Sequence, residues 1–383
     1  MQQLRSSPRA AGAIGCVTFA LLGWSGLLVP SLIRSIEHDF GQSDAGLGIY
    51  YLVYAITYAS GSLGGGIVTE RLGRRRVLAM AALSHGAGMA VLGIVPDWGI
   101  VLAAAIPAGL GAGALDGGGN GLILDLYRGS RGRALNTLHL FFSLGALASP
   151  LAIGQLVDAG VAWQSLVVGT AALTVPVAGL FAVAALPHGR HTAVARSGPR
   201  TANSIAMSLP LITLEVAIAC YVASEVGVSD WLVRFLDSLP LGLATASLSL
   251  FWAGLALGRL AAARVADRFD HLQFTTIAIT VASLAVIGAV LVPSANVSIV
   301  LFALVGFAFG PVFPLIIAIG GERFPERSAA VGGFLTGFAV VGAVVYPPIM
   351  GVLSVTVGLA PAMLGTAALG LACAGALLIA RRL

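Results

Sequence analysis

Apolar runs of about 20 residues or more, divided by short polar stretches, recur along the whole chain. That is the length of a membrane-crossing helix, and far longer than a strand. The pattern predicts spans near 11–35, 45–69, 76–95, 99–126, 133–157, 162–186, 208–234, 241–265, 273–292, 296–321, 328–356 and 359–380. The least marked divisions fall at Pro293 and Gly358, where a helix breaker interrupts a long apolar run. One long polar stretch, 187–208, lies at mid-chain and reads as a linker. The expected fold is an all-α membrane protein of twelve transmembrane helices in two six-helix bundles. The bundles would occupy 1–187 and 208–383, with a cytoplasmic linker over 188–207.

Charge orients this pattern. Arginines fall in clusters in every second gap: Arg71 with Arg74 to Arg76, then Arg128, Arg131 and Arg133, then Arg264 and Arg268, and so on to Arg381 and Arg382. The other gaps hold only Arg34 and Arg234. By the positive-inside rule both termini are expected in the cytoplasm. The basic N-terminus and the apolar run after it are expected to form a first span rather than a cleaved leader.

Composition narrows the class further. The chain is 58% hydrophobic and 10% charged, with mean hydropathy +0.96. A soluble domain is about a quarter charged, so this chain needs lipid as its solvent. Its 50 glycines suit close helix packing in a bilayer. The net charge of +5 comes from dispersed arginines, which mark topology and not a nucleic-acid face. Cys16, Cys220 and Cys373 lie in apolar runs and show no metal-ligand spacing.

The halves repeat in one register. Glu70-Arg71 is matched by Asp267-Arg268, a spacing of 197 residues. Gly109 and Gly113 are matched by Gly306 and Gly310, and Gly145, Pro150 and Gly154 by Gly342, Pro347 and Gly351, at the same spacing. Repeats of this kind place a substrate site near the bilayer midplane, where the halves meet.

Between spans two and three the chain reads Gly66-x-x-x-Glu70-Arg71-x-Gly73-Arg74-Arg75. This is similar to the signature loop of the major facilitator superfamily, which usually has Asp at the position of Glu70. The resemblance implies a conformational latch made of Gly66, Glu70, Arg71, Gly73 and Arg74, with Asp267 and Arg268 as its counterpart. Three further stretches resemble the fucose/glucose permease branch, the sugar–cation symporters. They are Gly113-Ala-Leu-Asp116-Gly-Gly-Gly-Asn120, Leu135-Asn136-Thr137-Leu138-His139-x-Phe141-Phe142, and Tyr221-Val-Ala-Ser-Glu225-Val-Gly227 with Trp231. One position departs from that branch. Its first-span Asp, four residues before a Pro, is Gly26 here, so a two-carboxylate mechanism is not simply copied.

An ionisable side chain at the bilayer centre costs roughly 2.5–3.5 kcal/mol on insertion scales, so each one there invites a role. The sequence offers Asp116, Glu215, Glu225 and Arg259. Asp116 and Asn120 are one helical turn apart and share a face. Their counterparts in the second half are Phe313 and Ile317, so the carboxylate and the amide belong to one half alone. Proton coupling is assigned to Asp116 with Glu225 and His139. Glu225 has two readings, binding substrate hydroxyls or pairing with Arg259. Asn120 and Asn136 are candidate substrate ligands, and His139 resembles the branch's His but also suits a packing role. Trp24, Tyr50, Tyr54, Phe142, Trp231 and Trp252 are candidate platforms for the C–H face of a sugar. His85 reads as a packing histidine.

No Walker-type loop and no nucleophile–base constellation is present, so neither ATP-driven transport nor enzymatic chemistry is expected. The expectation is a monomeric secondary transporter of the cell membrane, moving a sugar or similar neutral solute with protons and needing no cofactor. Sodium as coupling ion, drug-like efflux and a sensor role remain as alternatives.

Overall fold

The computed structural model describes residues 8–127, 131–184, 186 and 208–383, so the expected linker lies outside the described residues. Among them there is no strand; the chain is a succession of helices. They are α1 (Pro8–Gly26), α2 (Leu28–Phe40), α3 (Asp44–Leu72), α4 (Arg74–Ile94), α5 (Trp98–Leu126), α6 (Arg131–Asp158) and α7 (Trp163–Val183). After the linker come α8 (Leu209–Phe235), α9 (Leu241–Val265), α10 (His271–Leu291), α11 (Ala295–Phe309), α12 (Val312–Arg323), α13 (Ser328–Val357) and α14 (Leu359–Arg382).

Helix pairs α1–α2 and α11–α12 each make one interrupted span, which reduces these segments to the twelve expected spans. The second interruption falls at Gly310-Pro311, where the proline has no N–H to continue the ladder. Eleven spans among the described residues are long and apolar enough to cross a bilayer. The twelfth is α3, long enough at 29 residues, whose tyrosines and Gly-Ser-rich second half dilute its apolar character. The expected division at Pro293 falls between α10 and α11, and Gly358 (φ 98°) separates α13 from α14.

The residues divide into two compact units. One contains α1–α7 together with Pro240–Ser249; the other contains α8 and Leu250–Leu383. In the first, α3 packs on α5, α4 on α5 and α7, and α1 on α6. In the second, α8 packs on α13 and α14, and α10 on α11 and α14. The glycine ridges show why. A side chain on Gly109 would strike the carbonyls of Tyr54, and one on Gly113 that of Tyr58, so α3 and α5 meet backbone to backbone. Gly306 and Gly310 meet the carbonyls of Phe251 and Leu255 in the same way, which is the spacing of 197 residues again. Lipid is as apolar as the side chains, so such contacts gain from dispersion and close approach rather than from the hydrophobic effect.

Candidate functional site

The close approach at Gly113 brings α3 against the segment of α5 that carries Asp116. Asn120 Nδ2 donates to Asp116 Oδ1 and to the Asp116 carbonyl, both at 3.1 Å. The Tyr58 side chain, from α3, stands beside the same carboxyl group. A carboxylate here has the Asn120 amide as donor, and a bond of this kind contributes roughly 1.5–3 kcal/mol. Tyr58 tops a ladder of rings on one face of α3. Tyr50 and Tyr54 stack at 6.3 Å, Tyr54 and Tyr58 lie at 6.2 Å, and Trp98 of α5 closes the far end against Tyr50 at 6.2 Å.

Other candidates in this unit are placed differently. His139 and Asn136 are exposed on α6, and His139 stands edge-on to Phe19 at 5.5 Å. Phe142 and Tyr54 pack against the core cluster built on Phe19, Leu22 and Leu122. Trp24 donates from Nε1 to Thr170 Oγ1 at 3.0 Å, bonding α1 to α7. His85 bridges the Ala108 carbonyl and Ser25 Oγ, both at 3.0 Å, as a packing histidine does. A side chain at Gly26 would meet nothing within 4 Å, so the site of the missing first-span acid is open space.

In the second unit Glu225 accepts a short hydrogen bond from the hydroxyl of Tyr221, one turn earlier on α8. That hydroxyl also lies 3.2 Å from the Phe309 carbonyl, at the interruption of α11 and α12. Arg259 lies near enough for its charge to act on Glu225. Trp231 is fully buried and donates to the Pro347 carbonyl at 3.0 Å; Trp252 donates to Ser229 Oγ at 3.1 Å. Both indole N–H groups are thus engaged inside the unit.

The loop between α3 and α4 turns at Gly73, whose φ of 81° is one that a side chain would strain. Arg74 then reaches Asp125 of α5, Nη2 to Oδ2 at 2.7 Å, with 8% and 11% side-chain exposure. The repeat reproduces this pair: His271 and Glu322, each 197 residues on, meet at 2.8 Å, with 19% and 59% exposure. Arg71 and Arg268 are exposed; the packing of Gly66 and the side chains of Glu70 and Asp267 lie outside what is described.

Four participants escaped the sequence reading. Tyr58 continues the four-residue spacing of Tyr50 and Tyr54, a signal that was present. Tyr221 stands in a quoted motif, one turn from Glu225. Asp125, the partner of Arg74, and Asp230 of α8 are carboxylates beyond the expected set; both sit near helix ends, where a charge looks interfacial. Among the described residues no cluster of His, Cys, Asp and Glu is placed to hold a metal ion.

Two repeated units of helices long and apolar enough to cross a bilayer mark a multi-pass membrane protein, and the family that the chain matches is one of transporters, not enzymes. Residues 13–338 match the family model described as Major Facilitator Superfamily, and the chain belongs to that family. It is similar to a sodium-dependent glucose transporter 1 of Xenopus laevis, 28% identical over 125 residues, covering 33% of this chain and 25% of that one. It is also similar to the puromycin resistance protein pur8 of Streptomyces alboniger, 30% identical over 135 residues, covering 35% and 27%. These matches span about a quarter of each relative's length. The fold is similar to that of the E. coli fucose:proton symporter FucP, with a TM-score of 0.64, 18% identity, and coverage of 98% and 99% of the two chains.

Proposed function

We propose that this transporter moves a sugar, or a similar neutral hydroxylated solute, by proton-coupled symport with alternating access. The observation that supports the reading is Asp116, set on a span helix and bonded by Asn120, with Tyr58 beside it. A carboxyl group so placed takes up and releases a proton, while the tyrosine ladder beside it offers ring faces and hydroxyls to a sugar. One proton entering down a membrane potential supplies about 2.3 kcal/mol per 100 mV, enough to concentrate a neutral solute. The protein works as a monomer in the cell membrane, the inner membrane of a bacterium, with both termini in the cytoplasm.

Uptake of labelled sugars into proteoliposomes tests the reading, with a pH gradient, a sodium gradient or neither imposed. Accumulation driven by the pH gradient and abolished in Asp116→Asn is expected. Accumulation driven only by sodium replaces the coupling ion, as the name of the glucose transporter relative suggests. The second reading is efflux of an amphipathic compound, favoured by the likeness to a puromycin resistance protein. Thermal stabilisation by lipophilic cations or puromycin, with no response to any sugar, selects it.

A further inference from the structure

We propose that Tyr221 is the positioning residue of the break in span ten: its one O–H is shared between Glu225 and the Phe309 carbonyl, and the charge on Glu225 decides which of them holds it. This role rests on the reading of the protein as an alternating-access carrier. It gives Glu225 a task other than binding a solute or pairing with Arg259.

Span ten stops at Phe309 and resumes at Val312. Pro311 has no N–H, so the Phe307 carbonyl loses the donor that a continuous helix would supply. Such a point is where a helix bends. From α9 the break is met backbone to backbone. A side chain on Gly258 would strike the Phe307 carbonyl, and one on Gly310 the Leu255 carbonyl and the Arg259 amide. From α8 it is met by a side chain, Tyr221, which is fully buried. The ring of Tyr221 stands edge-on to that of Phe309 at 5.6 Å. Its hydroxyl lies 3.2 Å from the Phe309 carbonyl and donates to Glu225. The repeat shows that these features go together. Where the second unit has Tyr221, Glu225, Phe309 and Pro311, the first has Trp24, Leu28, Ala112 and Ala114, 197 residues earlier, and its span four runs unbroken as α5. The hydroxyl, the acid and the break are present together in one unit and absent together from the other.

A phenol carries one hydrogen, and a carbonyl or an ionised carboxylate can only accept. Tyr221 therefore cannot make a full bond to both neighbours at once. With Glu225 ionised, the charge-assisted bond is roughly twice as strong as a neutral one and takes the hydrogen. The Phe309 carbonyl is left with the weaker share. With Glu225 protonated, that advantage is gone. The carboxyl still accepts at its free oxygen, but as a neutral group it only matches the peptide carbonyl, and its own O–H can donate to the phenol oxygen. A chain from Glu225 to Tyr221 to Phe309 then satisfies all three groups. Protonation thus ties α8 to the break, and ionisation releases it. Among the charged neighbours, Arg259 of α9 is the group whose charge acts on Glu225. On α8 itself Asp230 is five residues on, and Glu215 and Cys220 are earlier. Tyr346 of α13 donates to the Ala362 carbonyl, and Glu322 of α12 is paired with His271. Arg323, Arg381 and Arg382 stand at the ends of α12 and α14, and Cys373 lies within α14. No titratable side chain lies on α11.

The test is backbone hydrogen–deuterium exchange, read by mass spectrometry on the reconstituted protein over a range of pH. The quantity is the rate for the segment 310–316 in Tyr221→Phe divided by that in the parent chain at the same pH, so the intrinsic pH dependence of exchange cancels. Tyr221→Phe deletes one oxygen and keeps the ring on Phe309. In a Glu225→Gln background, where the side chain is always neutral, exchange is expected to be about two- to tenfold faster at every pH, the equivalent of one neutral hydrogen bond. With Glu225 present, the ratio is expected to hold that value at low pH and to fall toward about one as the carboxyl ionises. Equal rates throughout the Glu225→Gln series overturn the tie between Tyr221 and the break. A ratio that stays level with pH while Glu225 is present overturns control by Glu225. Exchange is read with neither solute nor gradient, so uptake that ignores a pH gradient strikes the symport reading and leaves the result at Tyr221 standing.

Discussion

The two ion pairs related by the repeat should differ sharply in strength. Arg74–Asp125 is almost enclosed, at 8% and 11% exposure, and the Nη1 of Arg74 is buried with no partner among the described residues. Asp125 is therefore the main compensation for a charge withdrawn from water. Removing one partner of such a pair costs about 3–5 kcal/mol, whereas replacing both with apolar groups is close to neutral. Asp125→Asn keeps an acceptor for Nη2 and should fall at the lower end, about 3 kcal/mol. His271–Glu322 has the same register, but Glu322 is 59% exposed and His271 is charged only when protonated. Pairs of that kind contribute about 0–1 kcal/mol. Double-mutant cycles with Arg74→Met and Asp125→Leu, and with His271→Leu and Glu322→Gln, measure each coupling. Unfolding in mixed micelles of rising SDS content gives the free energies. The expected couplings are at least about 2 kcal/mol for the first pair and at most about 1 kcal/mol for the second. Equal couplings, or one below about 0.5 kcal/mol at Arg74–Asp125, would refute the argument from burial.

Two further substitutions test the packing. Gly113→Val places a side chain on the Tyr58 carbonyl and should destabilise by about 1–3 kcal/mol or more, seen as a lower melting temperature. Gly169→Val, where a Cβ meets nothing within 4 Å, should leave it nearly unchanged. Trp231→Phe strips the donor from the Pro347 carbonyl in a fully buried place and should cost about 1–3 kcal/mol in the same assay. Selectivity among solutes should stay as it was; a changed ranking in uptake competition would return Trp231 to the solute path.

Much of this protein was legible along the chain. Span length and arginine placement follow from transfer energies, which act residue by residue and need no tertiary structure. The register of 197 residues and the latch motif were equally readable, and so was Asp116 with Asn120, because one helical turn is a local distance. What faces a residue from another helix is different. Spacing offered Trp24, Tyr50, Tyr54, Phe142, Trp231 and Trp252 as a platform; it could not show that the indole N–H groups of Trp24, Trp231 and Trp252 find acceptors in Thr170, Pro347 and Ser229. Only the seating of α3 on the glycine ridge of α5 brings Tyr58 to Asp116, and only the packing of α4 on α5 brings Arg74 to Asp125. Periodicity says which face of a helix is apolar or small; the depth and rotation at which two such faces meet depend on contacts made along their whole length, and these decide which polar groups find each other.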